Sequence, residues 1–305
     1  LSCVENQLIA LDVTGLSQLQ TLSADGNRRN VPVNAVCQLD LTTLADGFAP
    51  EFAAEDSWQN AVCDGTLLTV TDISAEVQYD YCIDANDLER TVRFTLVPQA
   101  MEEDSIAIDA EHFPDDAFRV YVMEKLDRNQ DGMLQKSEQE IVTELDISGC
   151  GIADLTGIEN FSNLKKLNGA ENRITDLSPL PDTLTSLDCS KNAMTELDVS
   201  RFTSLTELRC RGLHLEQLDV TALSALKLLD CGDNALSGLA LRNETLEELY
   251  CDSNQLTKLD TRRCTVLQKL YCQKNELTSI SLGSTNLTVL SCADNQLESL
   301  ELADQ

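Results

Sequence analysis

The chain has 305 residues and 42% hydrophobic content, enough length for two or three domains and enough apolar surface to build a folded core. Against 22 basic residues stand 52 acidic ones, a formal net charge of -30, which repels phosphate backbones and anionic headgroups and argues against nucleic acid or membrane-surface partners. No run approaches the roughly 18 apolar residues needed to cross a bilayer, so membrane insertion is not expected. Solubility is the leading explanation of the acidity, with basic partners and divalent cations beside it.

In chain order, residues 1–27 (LSCVENQLIALDVTGLSQLQTLSADGN) carry leucines, a cysteine and asparagines in the frame that returns after residue 142. They read as the end of an upstream repeat array. Because the chain opens on Leu1 in the middle of a repeat, it is expected to be a piece of a longer protein. Residues 28–100 lose that frame and show alternating runs such as GTLLTVTD, AEVQYDYCI and RTVRFTLV, the pattern of half-buried antiparallel strands. A small β-rich domain is expected there, with Trp58 in its core; Cys37, Cys63 and Cys82 are close enough in sequence to pair, without a preferred pairing.

Residues 101–141 read as a linker followed by a helical cap: an acidic stretch from Glu102 to Glu111, then a helix from Phe118 to Leu126. Phe118, Val122 and Leu126 share one helical face, with Phe113 just ahead of it. The next residues, DRNQDGMLQKSE, resemble the calcium-binding EF-hand loop. What the resemblance implies is a Ca²⁺ ligand set of Asp127, Asn129 and Asp131, the carbonyl of Met133, Gln135 through a water, and Glu138 with both oxygens. Gly132 stands at the sharp turn, and no second loop is visible to pair with this one. The ion is expected to be structural, with an affinity of about 10⁻⁴ to 10⁻³ M, as in extracellular modules. A solvated acidic helix-turn-helix is the competing reading.

From residue 142 to 305 the sequence repeats as L-x-x-L-x-C-x-x-N-x-L-x-x-L. Cys189, Cys210, Cys231, Cys251, Cys272 and Cys292 recur at steps of 21, 21, 20, 21 and 20. Such a period marks a stacked column of buried reduced thiols more readily than a disulfide framework. Two looser turns precede them, with Ile147 and Gly169 in the cysteine slot, which makes eight turns, the last incomplete. The fourth-position leucine and the cysteine two residues later share one side of a strand. Asn192, Asn234, Asn254, Asn275 and Asn295 then fall where the chain bends, in reach of neighbouring backbone groups, while Leu213 interrupts that ladder. A second half of each repeat, L-x-x-L-x-V/L, is too short for an ordinary helix and predicts short strands on both sides of the array.

This pattern resembles the leucine-rich-repeat family, in particular its bacterial form with cysteine in the strand. The expected fold is a leucine-rich-repeat solenoid with parallel β-sheets and little helix, preceded by a small antiparallel β-domain and a helix-loop-helix cap. Residues 28–100 resemble, more weakly, strand-rich modules that accompany repeat arrays in bacterial surface proteins.

Chemistry for catalysis is absent from the sequence: His112 and His214 are the only histidines, 102 positions apart, and no zinc spacing, P-loop or dinucleotide fingerprint occurs. No enzyme is expected. Outward positions of the repeat strands carry Arg209, Arg211, Leu228, Tyr250, Lys269 and Tyr271, of which the tyrosines and arginines are the residue types that most often anchor interfaces, against the competing reading of an ordinary solvated sheet. Asp198, Asp219 and Asp260 recur on the other side, where regularity favours a backbone-bonding or solubilising role over ligand binding. The family resemblance implies an extracellular or cell-surface scaffold that binds a protein or other macromolecule, in adhesion or host interaction; the alternative is an architectural spacer. Unpaired strand edges at the last turn also raise end-to-end self-association.

Overall fold

The computed structural model describes residues 2–8, 10–11, 22–24, 26–33, 37–41, 52–54, 57–83, 91–100 and 104–300. The expectations for Glu102 and for the middle of the 1–27 fragment fall outside them. Two compact units emerge, residues 1–108 with 122–138, and residues 109–121 with 139–305.

In the first unit, β1 (Arg28–Val33), β5 (Val77–Cys82) and β6 (Thr91–Ala100) form one sheet in the order β1-β6-β5. A second sheet, β2-β4-β3, joins β2 (Gln38–Asp40), β3 (Ala61–Asp64) and β4 (Leu67–Val70). Alternation along these strands turns Val31, Val33, Leu68, Val77, Tyr79, Phe94 and Leu96 into a common core. Trp58 packs on it, stacked on Tyr79 at 4.5 Å between ring centroids. The pairs β5/β6, β2/β4 and β3/β4 are antiparallel, as the alternation predicts, but β1 runs parallel to β6. The reason lies just upstream of β1. Cys3 donates its N–H to Ser23 at 2.8 Å, and the Asn27 amide donates to Cys3 at 2.9 Å and accepts from Asn6 at 3.1 Å, so these residues form a repeat-like turn. β1 leaves that turn in the parallel sense, and Thr95 donates to Asn27 at 3.2 Å.

In the second unit, eight parallel strands stack in a single sheet: β9 (Glu144–Asp146), β10 (Lys166–Asn168), β11 (Ser186–Asp188), β12 (Glu207–Arg209), β13 (Leu228–Asp230), β14 (Glu248–Tyr250), β16 (Lys269–Tyr271) and β18 (Val289–Ser291). The pairing aligns Leu145, Leu167, Leu187, Leu208, Leu229, Leu249, Leu270 and Leu290 in one column. Five of the six periodic cysteines are buried beside it, Cys292 is half-buried, and all six are free thiols.

Each asparagine of the frame spans two turns. Asn275, for example, donates from Nδ2 to the carbonyls of Cys251 and Cys272 at 3.0 and 3.1 Å and accepts the Leu256 N–H on Oδ1 at 3.0 Å. Leu213 has no amide to offer, and there Asn234 Oδ1 accepts from both Leu213 and Leu215 at 3.0 Å. The second side of the array is less strand-rich than the sequence predicts: among the described residues only β15 (Lys258–Thr261) and β17 (Ser279–Leu282) pair as strands, with one bridge between Asp219 and Ala240. Asp198 and Asp219 accept the N–H two residues on, at 2.9 and 2.8 Å, and bend the chain into tight turns. Helix within the described residues of the array is confined to one 3₁₀ turn, Ile158–Asn160.

Candidate calcium loop and exposed sheet face

The EF-hand-like segment lies between α1 (Asp116–Lys125) and the short α2 (Lys136–Glu140). Three of its carboxylates are buried, Asp127, Asp131 and Glu138. Backbone N–H groups hold two of them in place: Asp127 accepts from Gly132 at 2.9 Å and Asp131 at 3.3 Å, while Glu138 accepts from Arg128 at 2.7 Å and Gln135 at 3.0 Å. Burial raises the Asp127 carboxyl above its ordinary value, the Gly132 N–H opposes that shift, and the nearby Asp131 and Glu138 add to it. Burial likewise raises Asp131, opposed by the N–H of Met133 and the Asn129 amide.

No ion pair to these three carboxylates is present among the described residues. The amides of Asn129 and Gln135 both donate to Asp131 Oδ2 at 2.9 Å. Rotation of either amide presents its oxygen in place of its nitrogen. Carboxylate and amide oxygens are the donor type that a hard divalent cation takes. No preformed group of three metal-ligating side chains is present among the described residues.

The partner that a second EF-hand loop would supply comes from elsewhere. β8 (Met133–Leu134) pairs antiparallel with β7 (Ile106–Ala107), and Ile108 donates its N–H to the Gly132 carbonyl at 3.0 Å. The Asn30 side chain also donates to the Asn129 carbonyl. Leu134 is buried beneath this small ribbon.

Residues 109–121 belong to the repeat unit. Phe113 and Phe118 are buried against each other at 5.9 Å, and Phe113 lies so close to Gly157 that a Cβ there would stand 2.4 Å from its ring. Asp115, which the periodicity argument overlooked, caps α1 by accepting the Phe118 N–H at 2.9 Å, and its other oxygen accepts from Ala153 at 2.8 Å and Asp154 at 3.1 Å. The only sequence signal for it was an aspartate three residues ahead of Phe118.

On the eight-stranded sheet, the six expected contact residues share one face and all are half-buried. Tyr250 and Tyr271 stack at 4.8 Å with their rings within 7° of parallel, a separation equal to the strand spacing. Around them the charges are engaged. Lys269 bonds Glu248 at 2.8 Å, Tyr250 donates to the same Glu248 at 2.7 Å, and Arg209 pairs with Glu207 at 3.1 Å. Arg211 reaches Asp230 at 3.2 Å and Asp252 at 2.5 Å, across a gap that Gly232 leaves by having no side chain. Leu228 sits beside them in β13.

Comparison with known proteins follows the same architecture. Residues 113–234 match the family described as the leucine-rich-repeat domain of endo-β-N-acetylglucosaminidase EndoS. The functional domain of InlJ from Listeria monocytogenes, which includes a cysteine ladder, is 30% identical with a TM-score of 0.55 over 67% of this chain and 50% of that one. This chain therefore spans about half the length of that relative. Internalin C2 from Listeria monocytogenes, at 22% identity and a TM-score of 0.56 over 65% of this chain and 92% of its own, shares the fold. A comparison with curated proteins found no match. Stacked leucine, cysteine and asparagine columns on one parallel sheet, with these relatives, make the repeat segment a leucine-rich-repeat solenoid of the kind found in bacterial proteins.

Proposed function

We propose that the chain is a non-catalytic, calcium-braced scaffold of a bacterial surface or secreted protein, which binds another protein through the face of its eight-stranded sheet. The observation that carries this reading is the stacked Tyr250–Tyr271 pair, an aromatic anchor set among ion pairs on a broad parallel sheet. Aromatic residues with a polar tip dominate interface energetics, and here the surrounding charges are already fixed by one another. Resemblance to internalin-like repeats supports the surface assignment, and among the described residues no helix is long and apolar enough to cross a membrane. Calcium, held by Asp127, Asn129, Asp131, the Met133 carbonyl, Gln135 and Glu138, would neutralise buried carboxylates and stiffen the loop next to β7.

Retention of a host- or bacterial-surface protein on immobilised chain, lost in Tyr250→Ala with Tyr271→Ala while the fold persists, is the expected outcome. Retention unchanged in that double variant would turn the reading toward an architectural spacer. Calcium is tested separately by titration calorimetry on the parent, Asp127→Ala and Glu138→Ala; no heat in the parent ends that part of the proposal.

A further inference from the structure

On the second side of the array, one slot is occupied in a regular way. Asp154, Asp176, Asp198 and Asp219 each accept the N–H of a Thr or Ser two residues on, at 2.8 to 2.9 Å. The next turn departs from the rule twice: Ala240 stands where the aspartate belongs and Arg242 where the Ser or Thr belongs, in register through the Asp219–Ala240 bridge. One turn later Asp260 returns, but its partner is Arg262, and Arg263 follows.

The two departures meet. Arg242, Arg262 and Arg263 line one surface cavity of about 520 Å³, with Asp260 as its only acid. Asp260 is spent on Arg262, which it binds through the backbone N–H at 3.0 Å and through Nε at 2.9 Å and Nη2 at 2.5 Å. The guanidinium groups of Arg242 and Arg263 form no hydrogen bond or ion pair with any described residue. Arg201, in the slot equivalent to Arg263, shows what a structural arginine does there: it bonds Asp182 at 2.6 Å and the carbonyls of Leu177 and Ser178 at 2.7 and 3.1 Å. Arg263 makes no such bonds. In a chain whose acids exceed its bases by 30, a cavity lined by three arginines and one acid is a local reversal of charge, with Asp219 of the preceding turn the further acid whose carboxyl feels Arg242.

The backbone beneath them is fixed. Arg242 lies between buried Leu241 and buried Asn243, whose amide donates to Val220 and Leu223 at 3.2 and 2.7 Å. Arg262 and Arg263 lie between buried Thr261 and Cys264, with Thr261 donating to Ser281 at 3.1 Å. Planar guanidinium groups at fixed roots match the oxygens of sulfate, phosphate and carboxylate pairwise.

We propose that this cavity is an oxyanion-binding site that takes a sulfate or phosphate monoester group, with Arg242 and Arg263 as its donors and Arg262 held in orientation by Asp260. It is separate from the tyrosine-bearing sheet face, and its fate does not depend on that reading.

The test is calorimetric titration of the whole chain with sodium sulfate at low ionic strength, against sodium chloride at matched ionic strength. Saturable millimolar binding is expected. It should weaken about three- to fivefold in Arg242→Gln or Arg263→Gln and about tenfold or more when both are changed, as loss of charge-assisted bidentate contacts implies. Arg173→Gln, an exposed arginine elsewhere in the array, controls for net charge and should leave binding as it was. Glucose 6-sulfate and O-phosphoserine distinguish a glycan source of the group from a peptide source, and preference for either supports the site. Equal affinity in the parent and the double variant, equal loss in Arg173→Gln, or no saturable binding overturns it.

Discussion

Asp115 joins one side chain to backbone N–H groups of its own helix and to two more some 38 residues away. Burial works against its ionised form, but the N–H groups of Ala153, Phe118, Asp154 and Ala117 outweigh that and hold its carboxyl below the ordinary 3.8. A lowered value in the folded state means its stabilisation is present above pH 3.8 and is lost as pH falls through the folded value. Asp115→Ala should therefore cost about 1–2 kcal/mol at neutral pH, with the difference from the parent shrinking below about pH 4; denaturant melts at pH 7 and pH 3 check both halves. The buried cysteines make a second statement at this scale. Burial pushes the thiols of Cys189, Cys210, Cys231 and Cys251 far above their ordinary value, and that of Cys272 up to about 12. Iodoacetamide at pH 8 should label exposed Cys150 in the native protein and reach the five buried ladder thiols, Cys189, Cys210, Cys231, Cys251 and Cys272, only after unfolding, since the thiolate is the nucleophile. Labelling of the ladder at the rate of Cys150, read by mass spectrometry, would contradict the buried column.

Those columns were legible in the sequence because the same residue type returns every turn. Asp115 was not, because its acceptor role depends on residues brought near only by folding. The slot just before each ladder asparagine was equally hidden: Glu171, Lys191, Asp233, Ser253, Lys274 and Asp294 all adopt φ between 53° and 58°, a left-handed conformation that their varied side chains do not announce.

At the scale of the element, the calcium loop and the second-side turns show what spacing decides and what it leaves open. Loop spacing singled out Asp127, Asp131 and Glu138, all three of them buried, but not the ribbon with β7, because a two-residue strand carries almost no periodicity. Likewise the L-x-x-L-x-V half fixed which residues turn inward, but not the turns that Asp198 and Asp219 close by accepting the N–H two residues on. For the loop, the raised carboxyls of Asp127 and Asp131 have a definite consequence. Their folded values lie above 3.8, so without metal the folded state binds more protons than the unfolded one above that pH, and these two groups favour folding more as pH falls toward 4. A divalent cation reverses the sign, because it requires the ionised forms. The gain in melting temperature on adding calcium should accordingly be small near pH 4.5 and grow toward pH 7, with proton release on binding in the acidic range. A calcium effect independent of pH would place the ion elsewhere.

At the scale of the molecule, repetition has an electrostatic cost. A slot that holds aspartate in successive coils stacks like charges at strand spacing, as with Asp198 and Asp219, where the neighbour raises the Asp219 carboxyl against the larger lowering by Thr221. Arginines relieve this where they occur, and Arg211 between Asp230 and Asp252 is the best case. Most other pairs, such as Lys191–Glu171 and Lys166–Glu144, lie in solvent, where screening and side-chain entropy offset most of their attraction. Even with every base matched to an acid, the chain keeps a formal charge of -30, so repulsion spread over the surface exceeds what the pairs return. Added salt shortens the screening length from about 30 Å at 0.01 M to about 10 Å at 0.1 M, which weakens long-range repulsion between unpaired acids more than contacts already at bonding distance. The melting temperature should therefore rise with sodium chloride over that range, in chelator as well as in calcium. A fall would mean that the surface pairs act as a stabilising network and that the acids sit too far apart to matter, which the stacked register of Asp198 and Asp219 argues against.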